Sequence, residues 1–254
     1  MVTPKSKIVL CSSTHYKKTI DDVRASCALE TAKKAARYSL NLLVVDDTDV
    51  NFRNQLKELG ATVFEEKVHG MGTCRRFILD KAGDIAGKDG VVIWLEAEKY
   101  NLVEFAEQLA EPILNGKADM VIPNRDQKLF EETYPKFQIQ SESLAKLFVH
   151  DMGLDWDVFF GPVAVNNVAL NEFLNYPNNL PKEFGMTVPD TWDATYLPRL
   201  IAMSKGCKTE FITVPYRHPS EQTKHESGNL EYDLKRIAQL ELLGLMYKLW
   251  KIYQ

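Results

Sequence analysis

The stretch GVVIWLEAEKYNLVEF, residues 90–105, contains an uninterrupted apolar run followed at once by two carboxylates. Residues 91–95 are all apolar, which is typical of a strand that is buried on both faces. Glu96 and Glu98 follow the run with a single alanine between them. Carboxylates this close repel each other unless a cation lies between them. The pattern predicts a core strand that ends in a polar site.

Short apolar runs alternate with longer amphipathic segments on both sides of this strand. Strands that alternate with helices predict an α/β protein with a mostly parallel central sheet, right-handed crossovers and flanking helices. Such sheets bind ligands at the carboxyl ends of their strands. The predicted strands are residues 7–13, 41–47, 61–67, 91–98 and 118–125, and the predicted helices between them are residues 19–39, 51–60, 71–86 and 103–116.

The second half of the chain is less regular. No change in composition divides it from the first half, so we expect one domain over residues 1–254. The predictions for this half are a charged, aromatic loop at 126–137, a helix at 141–153, a Gly-Pro turn at 161–162 before another helix, a helix at 191–206, a strand at 207–219 and a long helix at the end of the chain.

Composition excludes several classes of protein. The 31 basic and 35 acidic residues give a formal net charge of -4, without the basic excess of a nucleic-acid-binding protein. The four cysteines are scattered, which argues against a disulfide framework and predicts reduced thiols in the cytoplasm. No apolar span has the length of a transmembrane helix.

Acidic residues end two of the predicted strands. Two carboxylates such as Glu96 and Glu98 suit Mg²⁺ held together with a diphosphate, and the alternative is a pair of solvated loop residues. Asp46 and Asp47 end the strand at 41–47, where a carboxylate can accept hydrogen bonds from a ribose or a base. Capping of the next helix explains the same two aspartates equally well.

Glycines precede a basic helix in HGMGTCRR, residues 69–76. Gly72 would let a ligand approach the backbone, and Arg75 and Arg76 near a helix start would favour a diphosphate. The stretch lacks the full pattern of a P-loop or of a dinucleotide fold. A plain turn with surface arginines is the alternative.

Three further side chains are candidates. His218 follows the last predicted strand, and an imidazole beside carboxylates suits Mn²⁺, although a lone histidine is more often structural. Asp190 and Asp193 lie in VPDTWDATYL, where either is suited to act as a general base or to cap the following helix.

Taken in order, these segments resemble the GT-A glycosyltransferases, in particular the family 2-like enzymes and the related mannosylglycerate synthases. The likeness covers residues 7–220, and its order is more specific than any single motif. The matching segments are KIVLCSSTHYKK for the first strand and loop, LLVVDDTD for V-D-D-x-S-x-D, HGMGTCRRFILDKA for G-x-G-x-x-x-A-R-N, VVIWLEAEKYNL for the D-x-D segment, then ADMVIPNR, FFGPVAVNNVAL on the acceptor side, the W-D of PDTWDATYLPRLIAMSKG, and EFITVPYRHP.

The resemblance implies a GT-A fold and transfer of a sugar from a nucleotide-sugar to a hydroxyl acceptor, assisted by a divalent cation, Mn²⁺ or Mg²⁺. D-x-D is replaced here by Glu96-Ala97-Glu98, which leaves metal dependence open. The implied metal ligands are Glu96, Glu98 and His218, the implied catalytic residues are Asp190 and Asp193, and the implied nucleotide-sugar contacts are Ser12, Asp46, Asp47, Gly72, Arg75, Arg76 and Glu96.

The resemblance also implies a division of the domain into a nucleotide-sugar-binding half (1–125), an acceptor-side half (126–229) and a C-terminal amphipathic helix (230–254). The histidine favours GDP-mannose as donor over a UDP-sugar, and the acceptor is open. One alternative is a nucleotidyltransferase, although SSTHYKKT lacks the glycine-rich loop of that class. Another is a non-catalytic binding module on a degenerate transferase fold.

The C-terminal helix carries lysines and arginines among leucines and aromatic residues. Docking on its own domain is the simplest expectation, because ordinary packing requires one apolar face. Contact with an anionic membrane or with a second copy of the chain, as a homodimer, is the alternative.

Overall fold

The computed structural model describes residues 7–16, 22–67, 69–184 and 187–252. Within these ranges the strands are β1 (Ile8–Thr14), β2 (Asn41–Asp46), β3 (Thr62–Glu65), β4 (Val91–Trp94), β5 (Met120–Arg125), β6 (Val163–Val165) and β7 (Thr209–Val214). The helices are α1 (Asp22–Arg37), α2 (Val50–Glu58), α3 (Met71–Ala86), α4 (Ala106–Leu114), α5 (Gln127–Thr133), α6 (Lys136–His150), α7 (Asn167–Asn175), α8 (Asp193–Ser204), α9 (Ser220–Glu226) and α10 (Leu230–Ile252). Two short 3-10 helices span Tyr100–Phe105 and Lys182–Phe184.

The strands of the described chain form one sheet of seven, in the order β3-β2-β1-β4-β6-β5-β7. Strands β1 to β4 pair in parallel where they are neighbours, and β5 pairs in parallel with β7. Strand β6 is antiparallel to both β4 and β5. The expected mostly parallel sheet with flanking helices is therefore confirmed.

The apolar run that opens the sequence is buried because helices cover both faces of the sheet. Val92 and Trp94 pack in one core cluster, with side chains of α3, α7, α8 and α10. Val91 and Ile93 pack in the other, with side chains of α1 and α4. Burial of each such side chain contributes about 1.5–3 kcal/mol. A strand covered on both sides has no polar face, which explains the continuous run.

Several boundaries differ from the sequence-based expectation. Strand β4 ends at Trp94, so Glu96 and Glu98 lie in a turn beyond it and not in the strand. The segment predicted as a charged loop contains α5, whose start is capped by the Asp126 side chain accepting a hydrogen bond from the Leu129 N–H. Strand β6 has only three residues and was missed, because so short a run gives no periodic signal.

The C-terminal helix α10 packs on the domain with one face. Its buried side chains lie against α6 and α8, and the Tyr247 hydroxyl donates a hydrogen bond to the Val158 carbonyl, 2.8 Å away. Leucines and isoleucines on the opposite face remain exposed, among them Leu234, Ile237 and Leu245. Every helix in the described segments falls short of the length or the apolar character that crossing a membrane requires.

Candidate functional site

A cavity of about 530 Å³ lies at the carboxyl edge of the sheet. Its walls come from the segments that follow β1, β2, β4 and β7, from the start of α3, and from α8 and α10. Because β6 runs against its neighbours, its amino end reaches the same edge and brings in Phe159 and Phe160. The residues predicted for the site that line this cavity are Asp47, Arg75, Glu96, Glu98 and His218.

Glu98 is held by two partners from the amino-terminal part of the chain. Its side chain is buried, and Oε1 accepts a hydrogen bond from the Tyr16 hydroxyl at 3.1 Å. A guanidinium nitrogen of Arg24, from α1, lies 2.6 Å from the same oxygen. Burial raises the pKa of Tyr16, and the Glu98 charge raises it further, so the hydroxyl remains a donor. The Glu98 charge is thus paired with an arginine.

Glu96 points toward other neighbours. Its Oε1 lies against the backbone of Gly161, where a Cβ would come within 2.0 Å. Its Oε2 accepts no hydrogen bond from the described residues, and the Lys99 ammonium lies 3.9 Å away. The Lys99 N–H donates to the Glu96 carbonyl at 2.9 Å, which closes a turn. That turn sends the two carboxylates in different directions, whereas an extended strand would have placed them on one face.

Lys99 is a partly buried cation in the cavity wall. Its ammonium lies 5.3 Å from the ring centre of Phe160 and 5.9 Å from that of Tyr216. Burial lowers the pKa of Lys99, but Glu96, Tyr134 and Glu98 together raise it by more, and the pKa stands above its usual 10.5. The side chain is therefore charged at neutral pH.

Arg75 is the second cation beside Glu96. Its guanidinium donates a hydrogen bond to the Thr191 carbonyl at 2.5 Å and lies 5.4 Å from the ring centre of Trp94. Burial lowers the pKa of Arg75 and the Glu96 charge opposes that effect. An arginine keeps its charge under these conditions. Arg75 therefore supplies a fixed positive charge to the cavity.

His218 is buried and neutral. Its Nδ1 lies 2.9 Å from the Thr223 hydroxyl, which itself donates to the Thr133 carbonyl at 2.6 Å. That hydroxyl has one proton, so it accepts a hydrogen bond from Nδ1–H. Burial lowers the pKa of His218 well below its usual 6.5, and the charges of Lys99, Arg236, Arg125 and Arg24 lower it further.

Of the site residues predicted at the ends of β1 and β2, Asp47 lines the cavity, whereas Ser12 and Asp46 are buried. Asp47 lines the cavity, with the His15 ring nitrogen 3.2 Å from its carboxylate. Asp46 is fully buried and accepts hydrogen bonds from the Thr14 hydroxyl at 2.7 Å and the Thr48 N–H at 3.0 Å. Ser12 is also fully buried. Asp46 thus ties the loops of the site together from below.

Four other predicted site residues form a second cluster outside the cavity lining: Gly72, Arg76, Asp190 and Asp193. Arg76 donates two hydrogen bonds to the Asp190 carboxylate, at 2.6 and 2.7 Å. The Gly72 N–H donates to the Asp190 carbonyl, and a Cβ on Gly72 would lie 2.0 Å from the Asp190 carboxylate. Asp193 is fully buried and accepts hydrogen bonds from the Tyr176 hydroxyl at 2.5 Å and the Thr191 N–H at 2.8 Å. These contacts join α3 to the start of α8.

Sequence reasoning missed the cations that accompany the carboxylates. Arg24 lies within an ordinary amphipathic helix, and nothing in its neighbours distinguishes it. Lys99 directly follows the second glutamate, which was the available signal. Helix α10 also contributes to the wall, through Tyr232, Asp233, Lys235, Arg236 and Gln239.

The side chains predicted as metal ligands line one cavity without forming a donor set. Among the described residues, no three histidine, cysteine, aspartate or glutamate side chains are grouped as a metal ion requires. Glu98 is engaged by Arg24 and Tyr16, and Glu96 points elsewhere. The arrangement does not fit a divalent cation, and we assign no chemical step to one.

The architecture of this chain is similar to that of several solved structures. A 4-diphosphocytidyl-2C-methyl-D-erythritol synthase from Anaerococcus prevotii DSM 20548 matches with a TM-score of 0.52 and 12% identity, over 93% of this chain and 99% of that one. The chain has the nucleotide-diphospho-sugar transferase fold. S. aureus TarS also matches, with a TM-score of 0.43 and 13% identity over 92% of this chain and 70% of a fragment comprising residues 1–349. A second TarS structure gives 0.46 and 14%, over 86% of this chain and 38% of that one.

At these identities the nucleotide-diphospho-sugar transferase fold is established and an activity is not. No protein-family model matches the chain, and the search of curated proteins returns no match.

Proposed function

We propose that this protein is a glycosyltransferase that moves a sugar from a nucleotide-diphosphate sugar to a hydroxyl acceptor, with GDP-mannose as the favoured donor. The observation that carries the proposal is the cavity of about 530 Å³ at the carboxyl edge of a nucleotide-diphospho-sugar transferase sheet, which combines carboxylates with partly buried cations. Its volume lies within the range of about 300–1,000 Å³ of small-molecule sites.

The walls of the cavity suit the parts of such a donor. Lys99 and Arg75 offer positive charge to a diphosphate. The partly exposed aromatic rings of Phe137, Trp192 and Tyr232 offer flat apolar surface to a base or to the face of a sugar ring. The Glu96 carboxylate lines the same cavity and lies 3.9 Å from the Lys99 ammonium.

Transfer breaks the bond between the anomeric carbon and the phosphate oxygen and forms a bond from that carbon to the acceptor oxygen. The departing nucleoside diphosphate keeps the electron pair, so negative charge grows on the phosphate as the bond breaks. Fixed cations in a buried site stabilise such charge more strongly than water does. The proton of the acceptor hydroxyl leaves to a base or to solvent. Lys99 and Arg75 would therefore act on the leaving group.

Calorimetric titration with GDP, UDP, GDP-mannose and UDP-glucose tests the proposal. We expect one nucleotide family to bind and its sugar conjugate to release nucleoside diphosphate when acceptor hydroxyls are supplied. Silence across the panel would remove the proposal. Binding without any turnover would favour the non-catalytic module, and release of pyrophosphate from a nucleoside triphosphate would favour a nucleotidyltransferase.

A further inference from the structure

The turn after β4 separates the two carboxylates that a shared metal ion would have to join. Lys99 N–H closes the turn on the Glu96 carbonyl at 2.9 Å. Glu98 then faces Tyr16 and Arg24, on the side of α1. Glu96 faces Gly161 and the side of α3 and α8. The two carboxylates therefore have different immediate partners.

Each carboxylate also has a side-chain cation already in place. Arg24 lies 2.6 Å from Glu98, and that carboxylate oxygen also accepts the Tyr16 hydrogen bond. Lys99 lies 3.9 Å from Glu96, and the charge of the same carboxylate raises the pKa of Arg75 on α3. A divalent ion at either position would be brought next to a resident positive charge, and like charges at such distances repel strongly in a buried site. Side chains thus supply the positive charge that a metal ion would otherwise bring to each carboxylate.

The third residue of the predicted metal set lies in a positive field. The charges of Lys99, Arg236, Arg125 and Arg24 all act against a positive charge on the His218 ring. The same field would act against a divalent ion at this imidazole. The charged groups around His218 therefore oppose a divalent ion, as do the cations beside the two glutamates.

We propose that Lys99 and Arg75 bind the diphosphate group of the ligand directly, without a divalent cation. This inference rests on the proposed function, because it concerns the diphosphate of the same donor. Arg24 keeps Glu98 in an ion pair and so leaves no second carboxylate for a metal. Glu96 holds Lys99 and Arg75 on one side of the cavity until the ligand arrives.

The geometry of the two cations suits this task. The 3.9 Å contact between Lys99 and Glu96 is long for a charge-assisted hydrogen bond, so the ammonium can turn to a phosphate oxygen without losing a short bond. Arg75 presents a planar fork of donors, which matches phosphate oxygens. Both side chains rest on aromatic rings, which limits the freedom that binding would otherwise remove.

Calorimetric titrations with pyrophosphate, GDP and UDP, each in EDTA and in Mn²⁺, test the inference. We expect the dissociation constant of the ligand that binds to agree in the two buffers within about twofold. Lys99→Gln and Arg75→Gln should each weaken binding about tenfold or more in EDTA. Lys81→Gln is the matched control, because Lys81 pairs with Asp80 and Asp84 on α3 and does not line the cavity.

Electron paramagnetic resonance of Mn²⁺ with the protein alone gives an independent measurement. We expect no tight Mn²⁺ site in the wild-type protein, and a tight site that disappears in Glu98→Gln would overturn the inference. Binding of nucleotide only in Mn²⁺ would overturn it too, while leaving the proposed function intact. Failure of all three ligands in both buffers would overturn both. Circular dichroism melts of each variant establish that a loss of binding is not a loss of fold.

Discussion

A Cβ on Gly161 would lie 2.0 Å from Oε1 of Glu96, so the Glu96 side chain packs against the backbone before β6 and leaves no room for a side chain at position 161. Buried Arg199 fixes the Gly161 side of this contact by donating hydrogen bonds to the carbonyls of Phe160 and Gly161. Phe160, just before Gly161, and Glu96 both line the cavity, so this contact lies in the cavity wall. The position of the Glu96 carboxylate depends on that contact.

Gly161→Ala should push Glu96 out of place. We expect a loss of about 1–3 kcal/mol in the free energy of unfolding, as for other overpacked sites, and weaker binding of whichever nucleotide the wild type binds. Gly244→Ala is the matched control, since a Cβ there meets nothing within 4 Å and Gly244 lies inside α10. It should be neutral or stabilising by up to about 1 kcal/mol. Equal effects of the two variants in urea unfolding and calorimetry would contradict this account.

Asp190→Asn should act on stability before it acts on chemistry. The Asp190 carboxylate is held by two hydrogen bonds from Arg76 and lies outside the cavity wall. We expect a loss of about 1–3 kcal/mol in the free energy of unfolding, with the dissociation constant for nucleotide unchanged. Arg76→Gln should give a similar loss, and the double variant should lose less than the sum of the two. If Asp190→Asn removes turnover while its melting temperature and nucleotide binding stay normal, the general-base prediction for Asp190 stands instead.

The fold was largely predictable from the sequence, because β1, β2 and β4 are apolar runs separated by amphipathic helices. Strand β6 was not predictable, since its three residues acquire strand geometry only by pairing between β4 and β5. The presence of Glu96 and Glu98 at the site was predictable from the rule for strand ends. Their divergence was not, because no glycine or proline marks the turn at 96–99.

The partners of the carboxylates could not be predicted from the sequence either. Arg24 lies 74 positions before Glu98, and only the packing of α1 beside the sheet brings them together. The sequence left Asp193 open between a helix cap and a base. Its carboxylate accepts the Thr191 N–H, which precedes α8, and does not cap the helix itself. Contacts between residues distant in sequence required the fold.

Arg125→Met should change how stability depends on acid. Burial raises the pKa of Asp157, but Arg125 outweighs it, and the pKa of this carboxyl stands below its usual 3.8. The contribution of Asp157 to stability is therefore present above about pH 4 and is lost as the pH falls through the lowered value. Without Arg125 the buried Asp157 carboxylate loses its arginine partner, and Glu142 keeps Gln138 and the more distant Arg236. This loss should cost about 3–5 kcal/mol at neutral pH.

Urea unfolding of the wild type and of Arg125→Met between pH 3 and pH 7 measures that effect. The difference in stability between the two proteins should shrink as the pH falls, because burial without Arg125 raises the pKa of Asp157 and protonation then removes the unpaired charge. Lys128→Met, on the exposed side of neighbouring α5, is the control. Parallel pH curves for the wild type and Arg125→Met would show that this buried ion pair does not govern acid stability.

Two leucines of α10 lie on opposite faces of the helix, and substituting each of them tests which face is packed. Leu243 is 1% exposed and Leu245 is 48% exposed. Leu243→Ala should lower the free energy of unfolding by about 2–5 kcal/mol, and Leu245→Ala should change it by no more than about 0.5 kcal/mol. Equal losses would mean that the outer face is covered in solution. Liposome flotation and analytical sedimentation of the wild type and of Leu245→Glu then distinguish a membrane contact from a homodimer. If this face contacts a membrane, the variant should float less with liposomes than the wild type. If it contacts a second copy of the chain, the variant should sediment with a lower mass.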